Sequence, residues 1–437
     1  MRLFGGLGRF HRDARLFLVT TVVAGGALSL YWIDFNLYLA SLGYSPATIG
    51  VVATVGSIAG ALTAFPASAA SDRLGRRTIM AAGIALAIFA VVGLLLVESL
   101  PAIIFFAALW STGQQALMVV QAPFLAEHSE PDHRNELFAT QSAIQTMTNV
   151  LAAVLGGVVA TTIARLAGFD PGGPETYRVI LVIMTVLLVV ALATIGLLSD
   201  DRPGRRRGSG HLMALGEPAA FPPGPRMRAR TLMGITIEDR GRFVRLLLPG
   251  LLISIGAGQV IPFLNVFVQG KFGLDLASLN ALFAFTSLGT VAAMLAQPRL
   301  ARRFGQITSV VIVQAASIPF LLVLGFSPLL WTVILAMAVR NSLMNAGNPI
   351  FSAFAMEHVS PAERATLAAA MSLLWQVGWV VGGAWYALLQ ATLGFDAGYA
   401  VNFATVIVLY SVATLLYWTW FRDADRRKLE ARAQSSA

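Results

Sequence analysis

The apolar residues of this chain come in blocks of roughly 20, separated by short polar or charged turns. A helix rises about 1.5 Å per residue, so each block matches a hydrocarbon core of about 30 Å. The blocks fall at 16–40, 46–70, 78–98, 101–124, 137–164, 176–198, 243–268, 276–297, 306–326, 328–355, 366–393 and 398–421. Backbone polar groups in lipid must be satisfied within the chain, and blocks of this length do so as helices. The expectation is an all-α polytopic membrane protein with twelve transmembrane helices. Composition agrees: 57% of the 437 residues are hydrophobic and 12% are charged, about half the charge of a soluble domain. The first block is too long for a removable leader and lacks a small-residue cleavage site.

The formal charge of +9 invites a nucleic-acid reading, and its distribution argues against one. With the N-terminus cytoplasmic, 27 of the 31 Lys and Arg fall on the cytoplasmic side and 3 (Arg165, Arg178, Lys271) on the other, Arg340 being the remaining one. That is a positive-inside pattern, with both termini cytoplasmic. Aromatic residues are not interleaved with the basic ones as in a nucleic-acid surface. Arg outnumbers Lys 29 to 2, which points to a high-GC prokaryotic genome and so to its cytoplasmic (inner) membrane. The chain has no cysteine, and its five histidines lie in tails or loops. Disulfides, thiol chemistry and a histidine metal centre are therefore not expected.

Residues 1–198 form a first set of six spans, 199–242 a linker rich in Pro, Gly and Arg, 243–421 a second set, and 422–437 a tail. The linker cannot bury apolar surface, although Ile235 to Phe243 has the makings of a short interfacial helix. Local motifs recur in the two sets. Asp72-Arg73-Leu74-Gly75-Arg76-Arg77 follows span two, and Ala301-Arg302-Arg303-Phe304-Gly305-Gln306 follows span eight. Span five carries Gly156-Gly157, and span eleven carries Gly378, Gly382 and Gly383. Such repetition suggests an internal duplication, as in secondary transporters.

On these residues the chain resembles the major facilitator superfamily along essentially its whole length, most of all its twelve-span drug:proton antiporter branch. Asp72 to Arg77 is similar to that family's signature loop. The resemblance implies that Asp72 caps and pairs across cytoplasmic helix ends, with Gly75 making the turn and Arg76 and Arg77 anchoring the inner face. Ser68 stands where the family often has glycine, and Arg302 replaces the acid in the second copy, so gate control is expected from the first. Span five keeps the paired glycines of the exporters without the Gly-Pro before them. The fold implied is two pseudosymmetric six-helix halves.

In the resembled fold spans one, four, seven and ten line a central cavity. The polar residues of this chain gather on those spans: Tyr31, Asp34, Asn36 and Tyr38; Gln114, Gln115 and Gln121; Gln259 and Asn265; Arg340, Asn341, Asn345 and Asn348. Exposure to lipid would waste their hydrogen bonding, so they are expected to face the cavity or each other. Aromatic residues complete the lining: Phe35, Trp32, Trp110, Phe263 and Phe267. In span five Gln141, Gln145 and Asn149 share one face, with Gln376 of span eleven as a candidate partner. Pro262, after Gly256 and Gly258, makes span seven the one expected to bend.

Only Asp34 and Arg340 place charge deep inside an apolar block. Ionisable groups at that depth are rare and usually functional. Counting from the outer ends puts them roughly 9 and 18 Å down, which leaves open whether they touch. Asp34 is a candidate proton site, a permanent brace against Arg340, or a substrate contact. Arg340 does not deprotonate and serves as counter-charge or anion contact.

No catalytic constellation, nucleotide-binding domain or cofactor motif is present, so an enzyme is not expected and transport must draw on an ion or solute gradient. The functional expectation is a monomeric secondary transporter working by alternating access, exporting amphipathic or lipophilic small molecules in exchange for protons. The alternative is an importer or facilitator of a polar or anionic organic solute. The partners implied are a small-molecule substrate, protons and the lipid bilayer, with no nucleic acid.

Overall fold

The structure is a computed structural model and describes residues 10–128, 134–170, 172–199, 239–286, 303–360 and 363–436. It is all helical. In order come α1 (Arg12–Ser41), α2 (Pro46–Leu74), α3 (Arg76–Leu96), α4 (Leu100–Glu127), α5 (Arg134–Ala167) and α6 (Pro174–Gly196). Then follow α7 (Arg240–Val260), a 3₁₀ turn (Ile261–Phe263), α8 (Leu264–Phe272), α9 (Leu276–Thr286), α10 (Gln306–Phe326), α11 (Leu330–Glu357) and α12 (Arg364–Ser436). The helices fall on the apolar blocks because length and composition leave no other way to satisfy the backbone. Many large apolar side chains point outward, among them Leu62, Phe65, Leu96, Leu166 and Trp331, which is the surface lipid would cover.

Among the described residues nine helical stretches are long and apolar enough to cross a membrane. One of them, Thr366–Arg422, is 57 residues long. It doubles back at Gly394, where φ is 74°. Thirteen residues along a straight helix would part Tyr386 from Tyr399 by about 20 Å, yet their hydroxyls lie 2.8 Å apart. Helix α9 is described only as far as Thr286. Helices α7 and α8 meet at Pro262, which cannot continue the hydrogen-bond ladder, so the expected bend in span seven is present. Most of 199–242 lies outside the described residues, including Ile235 to Glu238 of the expected interfacial helix; Arg240 to Phe243 form the first turn of α7, which Asp239 caps by accepting from Arg242 N at 3.0 Å.

Two bundles stand out in the packing: α1 against α5 and α6, with α4 against α2 and α3; and α7 against α12, with α10 against α11. They meet where α12 packs on α2 and α1 on α8. Glycines set how closely they meet. A Cβ at Gly156 would come within 2.1 Å of Leu30 in α1, and one at Gly157 within 2.8 Å of Asn280 in α9. On the opposite side, Gly382 presses on the Ile255 carbonyl of α7 and Gly383 on Thr54 of α2. The paired glycines thus wedge α5 and α12 between the two bundles, as small residues do between helices in lipid.

Candidate functional site

One end of the molecule carries Arg12, Arg15, Arg76, Arg77 and Arg242 and is called here the basic end. The signature loop lies there. Gly75 ends α2 and opens α3 with φ 92°, a value that suits glycine alone. Arg76 donates to Ser71 Oγ at 2.5 Å and pairs with Glu127 of α4 at 3.3 Å. Arg77 donates to the Gly196 carbonyl of α6 at 2.6 Å. Two arginines thereby tie α3, α4 and α6. Arg73 is exposed, and Asp72 occupies the last turn of α2, its side chain outside the described set. The second copy repeats the geometry: Gly305 has φ 89°, and Gln306 donates to Glu357 of α11 at 3.0 Å. Ala301 and Arg302 lie outside the described residues.

Between the bundles is a cavity of about 170 Å³. Helix α1 supplies Tyr31, Trp32, Phe35 and Asn36, and α4 supplies Ser111, Gln114 and Gln115. The Tyr31 ring stacks on Phe35 at 4.4 Å and on Trp110 at 4.3 Å. Pro262 and Phe263 close the side facing α7, where the Phe263 ring stacks on Tyr386 at 3.7 Å. Gln376 and Trp379 come from α12, and Gln376 donates to Gln115 at 3.4 Å across the interface. The cavity therefore offers flat aromatic faces rimmed by amides, a lining suited to a small amphipathic ring.

Several expected lining residues sit elsewhere. Tyr38 is buried and donates to the Leu94 carbonyl of α3 at 3.2 Å, so it holds helices together. Gln259 is buried next to Gly258, which does line the cavity. Asn345 donates to the Asn341 carbonyl of its own helix at 2.8 Å, and Asn341 accepts from Arg340. Neither faces the cavity; α2 and α12 take the place expected of span ten, because the small residues of α2 (Gly56, Ser57, Gly60) leave room there. Gln376 was expected to pair with the polar face of α5 and reaches α4 instead. Asn348 has its side chain outside the described set.

Asp34 and Arg340 are both buried, 2% and 3% exposed, and are not paired. Arg340 Nη1 donates to Asn341 Oδ1 and Nη2 to the Tyr410 hydroxyl, each at 3.0 Å. Tyr410 reaches it because its ring packs against Gly256 of α7. Asp34 turns away from the cavity toward α9 and accepts from Asn280 Nδ2 at 3.1 Å through Oδ1, while Oδ2 has no partner. No cation among the described residues lies within 4.0 Å of this carboxyl. Sequence reasoning did not single out Asn280, although an amide inside an apolar block is a signal of a buried polar contact.

Beside Asp34, two amides clasp the bundles. Asn36 Nδ2 donates to the Pro262 carbonyl and Asn265 Nδ2 to the Ile33 carbonyl, both at 2.5 Å. The bond is reciprocal between α1 and the broken helix. Gln269 of α8 adds a 3.3 Å contact to the Tyr177 hydroxyl of α6. These contacts join the two bundles at the end opposite the basic one.

The family model of the Major Facilitator Superfamily matches residues 17–383, most of the chain. The chain belongs to the Major Facilitator Superfamily. No curated protein matches it in sequence. Among solved structures it is similar to the nucleoside transporter NupG, at 14% identity and TM-score 0.72 over 93% of this chain and 99% of that one. A bacterial homologue of the human lysosomal transporter Spinster, inward-facing and occupied, has the same identity and TM-score over 94% and 97%. A D-xylose-proton symporter gives 14% and 0.69 over 92% and 97%. All of these relatives are transporters. This member of the superfamily is a multi-pass secondary transporter of a small molecule and not an enzyme. The drug:proton antiporter branch is not singled out, since the structurally similar proteins are transporters of several different solutes.

Proposed function

We propose that the protein is a proton-coupled exporter of small amphipathic molecules, working by alternating access in a prokaryotic inner membrane. It acts as a monomer with twelve spans in two halves, the basic end cytoplasmic. The observation that carries the coupling is Asp34: a buried carboxyl with one neutral donor and no cation among the described residues. A charge shut into such a site without a counter-ion is expensive. Asp34 therefore holds its proton while the clasp is closed and surrenders it when the bundles part and water enters. The cavity of stacked aromatics and amides receives the solute, and Arg340 positions α11 against α12 without pairing to Asp34.

The test is transport in proteoliposomes with a panel of aromatic solutes, with and without an imposed pH gradient. Asp34→Asn should retain solute exchange and lose acceleration by the gradient; unchanged acceleration sinks the coupling role. A second reading, import of a polar solute, is favoured by the four amides at the cavity (Asn36, Gln114, Gln115, Gln376) and by the likeness to nucleoside and sugar transporters. Accumulation inside right-side-out vesicles would select it.

A further inference from the structure

A second cavity lies inside the C-terminal bundle, among α7, α10, α11 and α12, and measures about 220 Å³. It has a counterpart in the N-terminal bundle, offset by the 230 residues that also separate Gly75 from Gly305. Leu247 corresponds to Phe17, Gln314 to Ile84, Gly250 to Thr20 and Gly347 to Leu117. The counterpart measures only about 40 Å³. The difference follows from side chains: the two glycines leave open what Thr20 and Leu117 fill. A Cβ on Gly250 would meet nothing closer than the Tyr417 hydroxyl at 3.9 Å.

The space is not simply dry. Tyr417 and Gln314 line it and are 1% and 7% exposed. Gln314 Oε1 accepts from Thr414 at 3.4 Å, but its amide nitrogen has no partner among the described residues, and neither has the Tyr417 hydroxyl. The rest of the lining is largely apolar (Leu251, Phe351, Met371, Leu374) and carries no charge. Trp375 and Ser352 are exposed and mark the way in. An apolar cavity of about 150 Å³ takes up a ring the size of benzene. Both donors line the cavity without a protein partner among the described residues, so an acceptor oxygen seated there can take a hydrogen bond from them.

We propose that this cavity binds an uncharged amphipathic molecule: a short chain or small ring bearing one carbonyl or ester oxygen, which accepts from Tyr417 and Gln314. Lipid esters and free solutes share that chemistry. The site is separate from the cavity between the bundles, and its existence does not depend on proton coupling.

The probe is methyl 8-bromooctanoate, whose bromine quenches tryptophan, added to delipidated full-length protein. Quenching should saturate, and the part that depends on Trp375, taken as the difference from Trp375→Phe, reports this cavity. Gly250→Leu directs a side chain into the space, its Cβ meeting nothing closer than the Tyr417 hydroxyl, and should weaken binding by at least about tenfold, or ~1.4 kcal/mol. Tyr417→Phe should weaken the ester probe but not 1-bromooctane, which has no acceptor. Gly347→Leu is the second filling variant, its Cβ meeting Val313 at 3.3 Å. Unaltered Trp375-dependent quenching in both filled variants, each shown folded by its thermal transition, overturns the proposal, as does an absence of Trp375-dependent saturable quenching in the native protein. Native mass spectrometry of the undelipidated protein separates the sources: a lipid retained by the native chain and absent from Gly250→Leu identifies a lipid occupant, and its absence with the probe still bound identifies a free solute.

Discussion

Asp34 Oδ1 takes its one hydrogen bond from the Asn280 amide, and Oδ2 takes none. Their contact spans the two bundles, so it should be measurable as a coupling and not only as two separate losses. In a double-mutant cycle with Asp34→Leu and Asn280→Leu, unfolding in detergent should give an interaction of about 1 kcal/mol or more. Additive losses would show that the pair contributes nothing jointly. Arg340 is the contrasting case. Its two bonded nitrogens face Asn341 and Tyr410, so Tyr410→Phe should strand a buried guanidinium and destabilise by about 1–3 kcal/mol, read as a lowered thermal midpoint. A midpoint within a degree of the native one would show that the guanidinium finds other partners.

The helix ends at the basic end show how far a sequence repeat predicts structure. The repeated Gly75 and Gly305 turns were legible, because a tight turn between helices needs a positive φ. Their partners were not. Arg76 with Glu127 and Gln306 with Glu357 are the same contact made twice, between residues 51 apart in each half, and only the packing of α3 on α4 and α10 on α11 brings them together. Gln306→Arg should convert the weaker tie into an ion pair, a gain of no more than about 1 kcal/mol at an exposed site. A larger gain, or a loss, in thermal unfolding would contradict that equivalence. The cavity residues divide in the same way. Tyr31, Phe35 and Gln115 followed from polarity and aromaticity on spans that the family resemblance placed at the cavity. Tyr38, three residues after Phe35, could not be placed that way, because whether a polar aromatic faces a cavity or a neighbouring carbonyl depends on α3, which no local pattern announces.

At the scale of the whole molecule, the two bundles are clasped at one end by the Asn36 and Asn265 amides. The chain contains no cysteine, so a single thiol placed in the cavity by Ser57→Cys reports access without background. In cells, labelling of that thiol by an impermeant maleimide from outside should be slow, and should quicken several-fold when Asn36→Ala is added. Equal rates would mean that the clasp does not govern the outer path. The clasp has one further consequence. Both of its acceptors are main-chain carbonyls, contributed by Ile33 and Pro262, so any residue at position 33 would present the same oxygen. A mutational scan would flag the two asparagines and pass over position 33 as silent. Half of the latch is written in backbone, where substitution cannot reach it and selection has nothing to read.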